Sequence, residues 1–172
     1  MRARRLSASL ILLMLVTSPF AFAQETDVTS LRERIVNLQN QYPLGIRTLV
    51  ACSTVTGYGS YESLPDNKVK AGDVIMFYIE PQNPSTNVAE GTYEIWLTHD
   101  ALVLTEQGQE LFKQENTFEI HSQTNSPRLD VFGVNQLTLG EVQPGKYLYK
   151  VILHDNIKGE ETSATWAFEV IQ

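Results

Sequence analysis

Residues 143–155, QPGKYLYKVILHD, decide the fold class of this chain. Pro144-Gly145 is a turn signal, and the apolar side chains that follow it fall on every second position, at Tyr147, Tyr149, Val151 and Leu153. Successive side chains of a β-strand point to opposite faces, so a period of two predicts a strand. We expect this strand to cover residues 146–154 and to be the next to last strand of its domain.

The same period of two runs through most of the chain from Ile46 onward. The segments with strand character are 46–55, 69–80, 92–104, 117–121, 129–139 and 163–171. Residues 74–79, VIMFYI, form a continuous apolar run, which favours a central strand covered on both faces. Because turn residues separate these segments and no helical pattern lies between them, they predict an all-β sandwich of about seven strands.

One short helix is predicted ahead of the strands, within residues 24–44. Ser30 and Glu33 match a capping box, and apolar residues recur at helical spacing at Val28, Leu31, Ile35 and Leu38. Pro43 should end the helix by Tyr42. Such a short amphipathic helix is marginal alone. It either packs against its own domain or binds a partner, as a single helix or a short coiled coil.

The first 23 residues have the three parts of a secretory signal peptide. Basic residues are followed by the apolar run 6–16, and Ala21-Phe22-Ala23 gives the small-x-small pattern that precedes cleavage. The apolar run is too short to span a bilayer comfortably and is cut by Pro19. We therefore predict a mature chain that begins at Gln24 and is exported to the periplasm or the extracellular space.

Removal of this leader leaves an acidic chain of a size that suits one domain. The leader holds three of the 13 basic residues and none of the 20 acidic ones, so the mature chain has a net charge of −10. Such a surface repels phosphate backbones and anionic lipid. We therefore expect no nucleic-acid partner and no membrane insertion after leader removal.

Cys52 is the only cysteine, so the chain cannot form an intramolecular disulfide. Residues 49–52, LVAC, spell a lipobox, but they follow a polar segment instead of the leader. Free cysteines are usually buried, and we expect Cys52 to be a structural residue of a strand. Lipidation and a disulfide with a partner are the alternatives.

The turn at residues 143–147 resembles the tyrosine corner of immunoglobulin-like and fibronectin-type-III-like domains, with Tyr147 as the corner residue. Residues 57–61, GYGSY, followed by the A-G-x-x-x-x-x-Y-x-E pattern of residues 71–80 and the P-G-x-Y strand, are similar to a group of uncharacterised secreted bacterial proteins. The resemblance covers residues 48–171. It implies an exported immunoglobulin-like β-sandwich over residues 45–172. It implies no activity, and the cysteine and tryptophan pattern of true immunoglobulin domains is missing.

Two histidine–aspartate pairs are the candidates for chemistry, at residues 99–100 and 154–155. Imidazole and carboxylate groups could bind zinc or form an acid/base site. If each pair closes one of two adjacent antiparallel strands, however, the pairs lie at opposite ends of the domain, roughly 20 Å or more apart. No nucleophile elbow, phosphate loop or calcium loop is present in the sequence. We therefore predict no enzyme, no metal and no cofactor.

Surface aromatic residues offer a better case for binding. Tyr58 and Tyr61 flank a glycine-rich turn, and Trp96 shares a strand face with Glu94 and Thr98. An exposed aromatic ring can stack on a sugar or anchor a protein partner. The leading hypothesis is a non-catalytic exported module that acts through protein–protein contacts. The alternative is a carbohydrate-binding module that uses these three aromatic residues.

Overall fold

The computed structural model describes residues 28–172, so the predicted signal peptide and cleavage site lie outside the described residues. This part of the chain consists of one helix followed by strands, which confirms the all-β prediction with a single helix. The helix α1 spans Val28–Gln39 and ends before Pro43, as predicted. Ser30 lies inside α1 instead of preceding it, so the predicted capping box is wrong.

Ten strands follow the helix in the described part of the chain. Their bounds are β1 (Gly45–Gly57), β2 (Ser60–Ser63), β3 (Lys68–Lys70), β4 (Val74–Gln82), β5 (Asn87–Ala89), β6 (Thr92–Thr105), β7 (Glu110–Thr124), β8 (Gly133–Thr138), β9 (Gly145–Asp155) and β10 (Glu160–Ile171). Seven of them have six or more residues, and the other three are short pairings beside turns.

The strands form two sheets. The four-stranded sheet has the order β2-β1-β4-β8, and the six-stranded sheet contains β3-β10-β9-β6 with both β5 and β7 paired to β6. The pair β3–β10 is parallel, whereas β9 is antiparallel to both β6 and β10. The central position of β4 in its sheet agrees with the continuous apolar run of residues 74–79.

The two sheets pack against each other through a core of apolar side chains. Phe77 of β4 stacks on Tyr149 of β9 with 3.7 Å between the ring centroids, and both residues are fully buried. Asn135 of β8 donates a hydrogen bond of 2.6 Å to the Tyr149 hydroxyl, so this buried polar group has a partner. Burial raises the pKa of Tyr149 to about 12.

The two residues expected to have structural roles lie in different sheets. The Tyr147 hydroxyl donates a hydrogen bond of 2.7 Å to the carbonyl oxygen of Gln143, four residues before it, which is the bond that a tyrosine corner makes. Cys52 is buried as a free thiol in β1. Its burial raises the pKa of the thiol.

Candidate functional site

The helix α1 presents an apolar stripe to solvent. Its four members are exposed by 63%, 43%, 41% and 51%, in the order Val28, Leu31, Ile35 and Leu38. Residues three and four positions apart lie on one face of a helix, so these side chains form one continuous surface, here called the apolar stripe. A soluble domain normally turns such a stripe toward its core. This helix does the opposite.

The other face of α1 holds the helix on the domain. Val36 is only 1% exposed, and Glu33 accepts a hydrogen bond of 3.2 Å from the Tyr93 hydroxyl of β6. Just after the helix, the Asn40 side chain accepts a hydrogen bond of 2.9 Å from the Thr86 amide and donates one of 2.8 Å to the Thr86 carbonyl. Because these contacts fix the helix from one side, the apolar stripe is held outward.

Trp96 lies on the outer face of the six-stranded sheet and is 38% exposed. Its Nε1 donates a hydrogen bond of 2.8 Å to Glu119 of β7. Its ring stacks on His121, its register partner in β7, with 4.8 Å between the ring centroids. The indole and imidazole rings therefore form a partly exposed aromatic platform, here called the Trp96 platform.

Glu94 joins the Trp96 platform to its polar surroundings. It accepts hydrogen bonds from His121, Gln123 and Asn87 at 2.9, 3.1 and 3.2 Å. These bonds, that from His121 above all, stabilise the carboxylate and lower the pKa of Glu94 to about 2. The platform is thus bordered by an ionised carboxylate and by amide groups, which are the partners that sugar hydroxyls commonly use.

Tyr58 lies on the outer face of the other sheet, where its hydroxyl has a structural partner. The buried Glu80 of β4 accepts hydrogen bonds from Tyr58, Tyr78 and Arg47 at 3.0, 3.1 and 2.8 Å. The Gly59 amide donates to the Tyr78 hydroxyl at 2.9 Å. The glycine–tyrosine turn and the Y-x-E pattern of the sequence therefore belong to one network that ties the β1–β2 turn to β4.

Tyr61 belongs to the same outer face as Tyr58. Its ring packs on Tyr78, with 4.5 Å between the ring centroids, and Phe132 stacks on Tyr78 at 5.6 Å. Tyr58, in the β1–β2 turn, and Tyr61, in β2, thus lie at one hairpin of the four-stranded sheet, whereas Trp96 lies in the other sheet. The three aromatic residues predicted to bind a ligand do not form a single site.

The two histidine–aspartate pairs meet, contrary to the prediction that they lie roughly 20 Å apart. His154 Nε2 is 3.3 Å from Asp100 Oδ2. The expected separation assumed that His99-Asp100 closes its strand, although the alternating segment itself runs to residue 104; β6 does not end at His99. It continues to Thr105, which places His99-Asp100 in the middle of β6, and the end of β9 pairs with this middle, with Thr98 opposite His154.

The aspartates of these pairs accept hydrogen bonds from backbone amides. Asp100 Oδ1 accepts a hydrogen bond of 3.0 Å from the amide of Asn116, where β7 bulges with a positive φ of 50°. Asp155 accepts bonds from the amides of Ile157, Lys158 and Ser85 at 3.0, 3.2 and 2.8 Å. Both carboxylates therefore stabilise turns and bulges.

His99 lies in the interior and is fully buried. Its ring is 5.2 Å from that of Phe118, and neither ring nitrogen has a hydrogen-bond partner within residues 28–172. Burial, offset in part by Asp100, lowers the pKa of His99 to about 4. His99 is therefore a neutral core residue at pH 7.

Asp100 and His154 line a polar cleft of about 400 Å³. The other lining side chains include Thr98, Glu115, Asn116, Asn156, Glu160 and Glu161. Over residues 28–172, no group of three or more histidine, cysteine, aspartate or glutamate side chains is placed to hold a metal ion. In the same range, no helix is long and apolar enough to cross a membrane.

Comparisons with known proteins give distant likenesses of fold. No protein-family model and no curated protein matches the chain. Similar solved structures include CopC from Methylosinus trichosporium OB3b, at 14% identity and a TM-score of 0.36, over 72% of this chain and 93% of that one. With a TM-score this low, the likeness carries neither a ligand nor an activity to this chain.

Two further structures are similar over a part of their length. One is the alkylpurine DNA glycosylase AlkC of Pseudomonas fluorescens, at 12% identity and a TM-score of 0.43, over 83% of this chain and 37% of that one. The other is a family 123 glycoside hydrolase from Clostridium perfringens, at 12% identity and a TM-score of 0.44, over 76% of this chain and 28% of that one. The chain thus spans about a third of each enzyme, and these TM-scores likewise carry no activity over.

Proposed function

We propose that this protein is a non-catalytic module, exported to the periplasm or the extracellular space, that binds a protein partner through the apolar stripe of α1. The observation that carries the proposal is the outward orientation of Val28, Leu31, Ile35 and Leu38 on a helix whose other face is fastened to the domain. Burial of a large apolar side chain contributes about 1.5–3 kcal/mol. Because each of the four is only 41–63% exposed, burial by a partner gains roughly half of this value per side chain, which reaches the lower part of the ~4–15 kcal/mol that association costs.

The order of the longer strands supports an immunoglobulin-like arrangement for the domain that displays the helix. In the four-stranded sheet, the neighbouring strands β1-β4-β8 correspond to A-B-E of such a sandwich. In the six-stranded sheet, the neighbouring strands β10-β9-β6-β7 correspond to G-F-C-C′. An experimental structure in which β7 leaves β6 and pairs with β8 would contradict this arrangement.

The partner-binding role is tested with the purified mature chain as bait for the envelope proteins of the organism that makes it. Wild type is compared with the variant Leu31→Ser/Ile35→Ser. A matched control, Leu111→Ser/Phe112→Ser, removes two equally exposed apolar residues of β7. We expect one protein to be retained by wild type and by the control and lost from the stripe variant, and to bind wild type when purified. Equal retention by the stripe variant would contradict the proposal.

The Trp96 platform supports carbohydrate binding as a second candidate function. Its exposed indole ring can stack on a sugar ring, while Glu94 and Gln123 offer an acceptor and a donor beside it. A glycan array probed with wild type, Trp96→Ala and Tyr58→Phe tests this role. We expect specific binding to be lost in Trp96→Ala and kept in Tyr58→Phe, since Tyr58 lies on the other sheet. Absence of any glycan signal for wild type would remove this candidate.

A further inference from the structure

We propose that the surface which receives α1 is a protein groove with an apolar floor and a rim of carboxylates. This inference rests on the proposed function and names the chemistry of the partner. It starts from two arginines that border the apolar stripe. On a helix of 3.6 residues per turn, Arg32 lies on one side of the line through Leu31 and Ile35, and Arg34 lies on the other.

Both arginines are available to a partner. Arg32 and Arg34 are exposed, and the ion pairs among residues 28–172 are made by other residues, including Arg47, Lys113, Lys146 and Lys158. Glu33, the acidic residue between them, lies on the face of α1 that contacts the domain and accepts a hydrogen bond from the Tyr93 hydroxyl. The stripe is therefore an apolar surface with a positive edge on each side.

These positive edges stand out because the rest of the mature chain is strongly acidic. Positive and negative surfaces attract one another across interfaces and steer encounter. Arginine also pairs with carboxylates in a bidentate geometry. A helix that offers an apolar stripe between two arginines is complementary to a groove that offers apolar side chains between carboxylates.

A second copy of the chain fits the stripe poorly. Val28, Leu31, Ile35 and Leu38 have the a/d spacing of a coiled coil, which makes Arg32 an e residue and Arg34 a g residue. In an antiparallel pair of helices, e faces e and g faces g, so both arginines would meet their own copies. In a parallel pair, Arg34 would face the neutral Gln39, and two mature chains of net charge −10 would be brought side by side.

An anionic membrane fits poorly for the same reason. The helix is fastened to its domain through Glu33, Val36 and Asn40. Any surface that receives the stripe therefore also approaches the acidic domain, which an extended anionic surface repels. A groove of limited size with its carboxylates placed at the two arginines avoids this repulsion.

The test uses the mature chain as bait, envelope proteins of its own organism as the probe, and 50 or 500 mM NaCl. Three variants accompany wild type: Arg32→Glu/Arg34→Glu, the conservative Arg32→Lys/Arg34→Lys, and Leu31→Ser/Ile35→Ser. The retained protein is identified, purified and titrated against each variant. We expect charge reversal to weaken binding about tenfold or more, the lysine variant to keep most of it, and high salt to weaken wild type more than the reversed variant.

The outcomes separate this inference from the proposed function. Binding that is lost in Leu31→Ser/Ile35→Ser but unchanged by charge reversal overturns the acidic rim and leaves the protein-binding role standing. Binding that survives the stripe variant, or no retained protein at all, overturns both. Co-sedimentation of wild type with phosphatidylglycerol vesicles, or a wild-type dimer that the stripe variant abolishes in sedimentation velocity, assigns the stripe to lipid or to a second copy and likewise overturns the inference.

Discussion

Asp100 and His154 are in contact across two neighbouring strands, with 3.3 Å between Oδ2 and Nε2, although 54 residues separate them in the chain. The other oxygen of Asp100, Oδ1, accepts a hydrogen bond of 3.0 Å from the backbone amide of Asn116. One carboxylate thus joins β9 to the bulge of β7. Its position in the middle of β6 makes it a structural residue of the six-stranded sheet.

Replacement of Asp100 should destabilise the domain. Asp100→Ala removes the acceptor of the Asn116 amide, and because Asn116 is exposed the expected cost is that of one hydrogen bond, about 0.5–1.5 kcal/mol. Asp100→Asn keeps an acceptor oxygen and should cost less. Urea unfolding measures the free energy of unfolding for both variants. Equal losses of unfolding free energy in the two variants would show that the hydrogen bond from the Asn116 amide does not contribute to stability.

Tyr147→Phe should lower the free energy of unfolding by about 1 kcal/mol, the usual net value of one hydrogen bond. The substitution removes only the hydroxyl that donates to Gln143 and keeps the ring that packs near Phe168. Tyr42→Phe, at an exposed position, is the matched control. An unchanged denaturation midpoint for Tyr147→Phe would remove the tyrosine-corner role.

Cys52 should react slowly with thiol reagents in the native protein and quickly once the protein is unfolded. Its side chain is buried, and burial raises the pKa of the thiol, so little reactive thiolate is exposed at pH 7. Labelling rates in buffer and in denaturant measure the difference. Fast native labelling, or a reducible dimer on a gel, would speak against the core position.

His99 should make stability depend on pH between about 6.5 and 4. The unfolded histidine has a pKa near 6.5, whereas burial lowers the pKa of His99 to about 4 in the folded state. Below pH 6.5 the unfolded state therefore binds a proton at this histidine, whereas in the folded state the histidine stays neutral down to about pH 4. Stability is fully present above this range and falls with decreasing pH by up to about 3 kcal/mol.

The check on His99 is a comparison of unfolding free energies at pH 7 and pH 4.5. His99→Leu removes the titrating group and should show a smaller loss between the two values. His121→Gln removes an exposed histidine and should keep most of the loss. If the loss is the same in His99→Leu as in wild type, another group is responsible.

A chain of residues 44–172, which lacks α1, should still fold but should no longer bind the partner protein. Val36 is the one residue of α1 that is fully buried, so removal of the helix should cost a few kcal/mol, from one buried side chain and a few hydrogen bonds. Thermal unfolding and binding to the purified partner measure the two effects. A truncated chain that fails to fold would show that α1 belongs to the core.

Much of the fold could be predicted from the sequence because strand alternation is a local signal. The strands around residues 92–104 and 146–154 were predicted within a residue or two of β6 and β9. The first half of β7, which reads ELFKQEN at residues 110–116, was missed because it has no clean alternation. Its strand state follows from pairing with β6, which is a contact between distant segments.

The candidate sites were harder to predict because they depend on register and docking. The spacing of the stripe predicts that its four side chains share one face. Which face packs on the domain, however, depends on two hydrogen bonds between distant segments. Glu33 accepts one from Tyr93, and Asn40 accepts one from Thr86. Trp96 was singled out from its strand, but its partner His121 could be recognised only once the register of β7 against β6 was known.

The bulge at Asn116 also has a consequence for the behaviour of the protein in a crowded compartment. Among the described strands, β7 pairs with β6 alone, so its other edge leaves backbone donors and acceptors open to a strand of another molecule. A bulge breaks the regular repeat of such an edge and bends it. By pinning that bulge, Asp100 keeps the longest strand of the described chain from offering an uninterrupted template for aggregation.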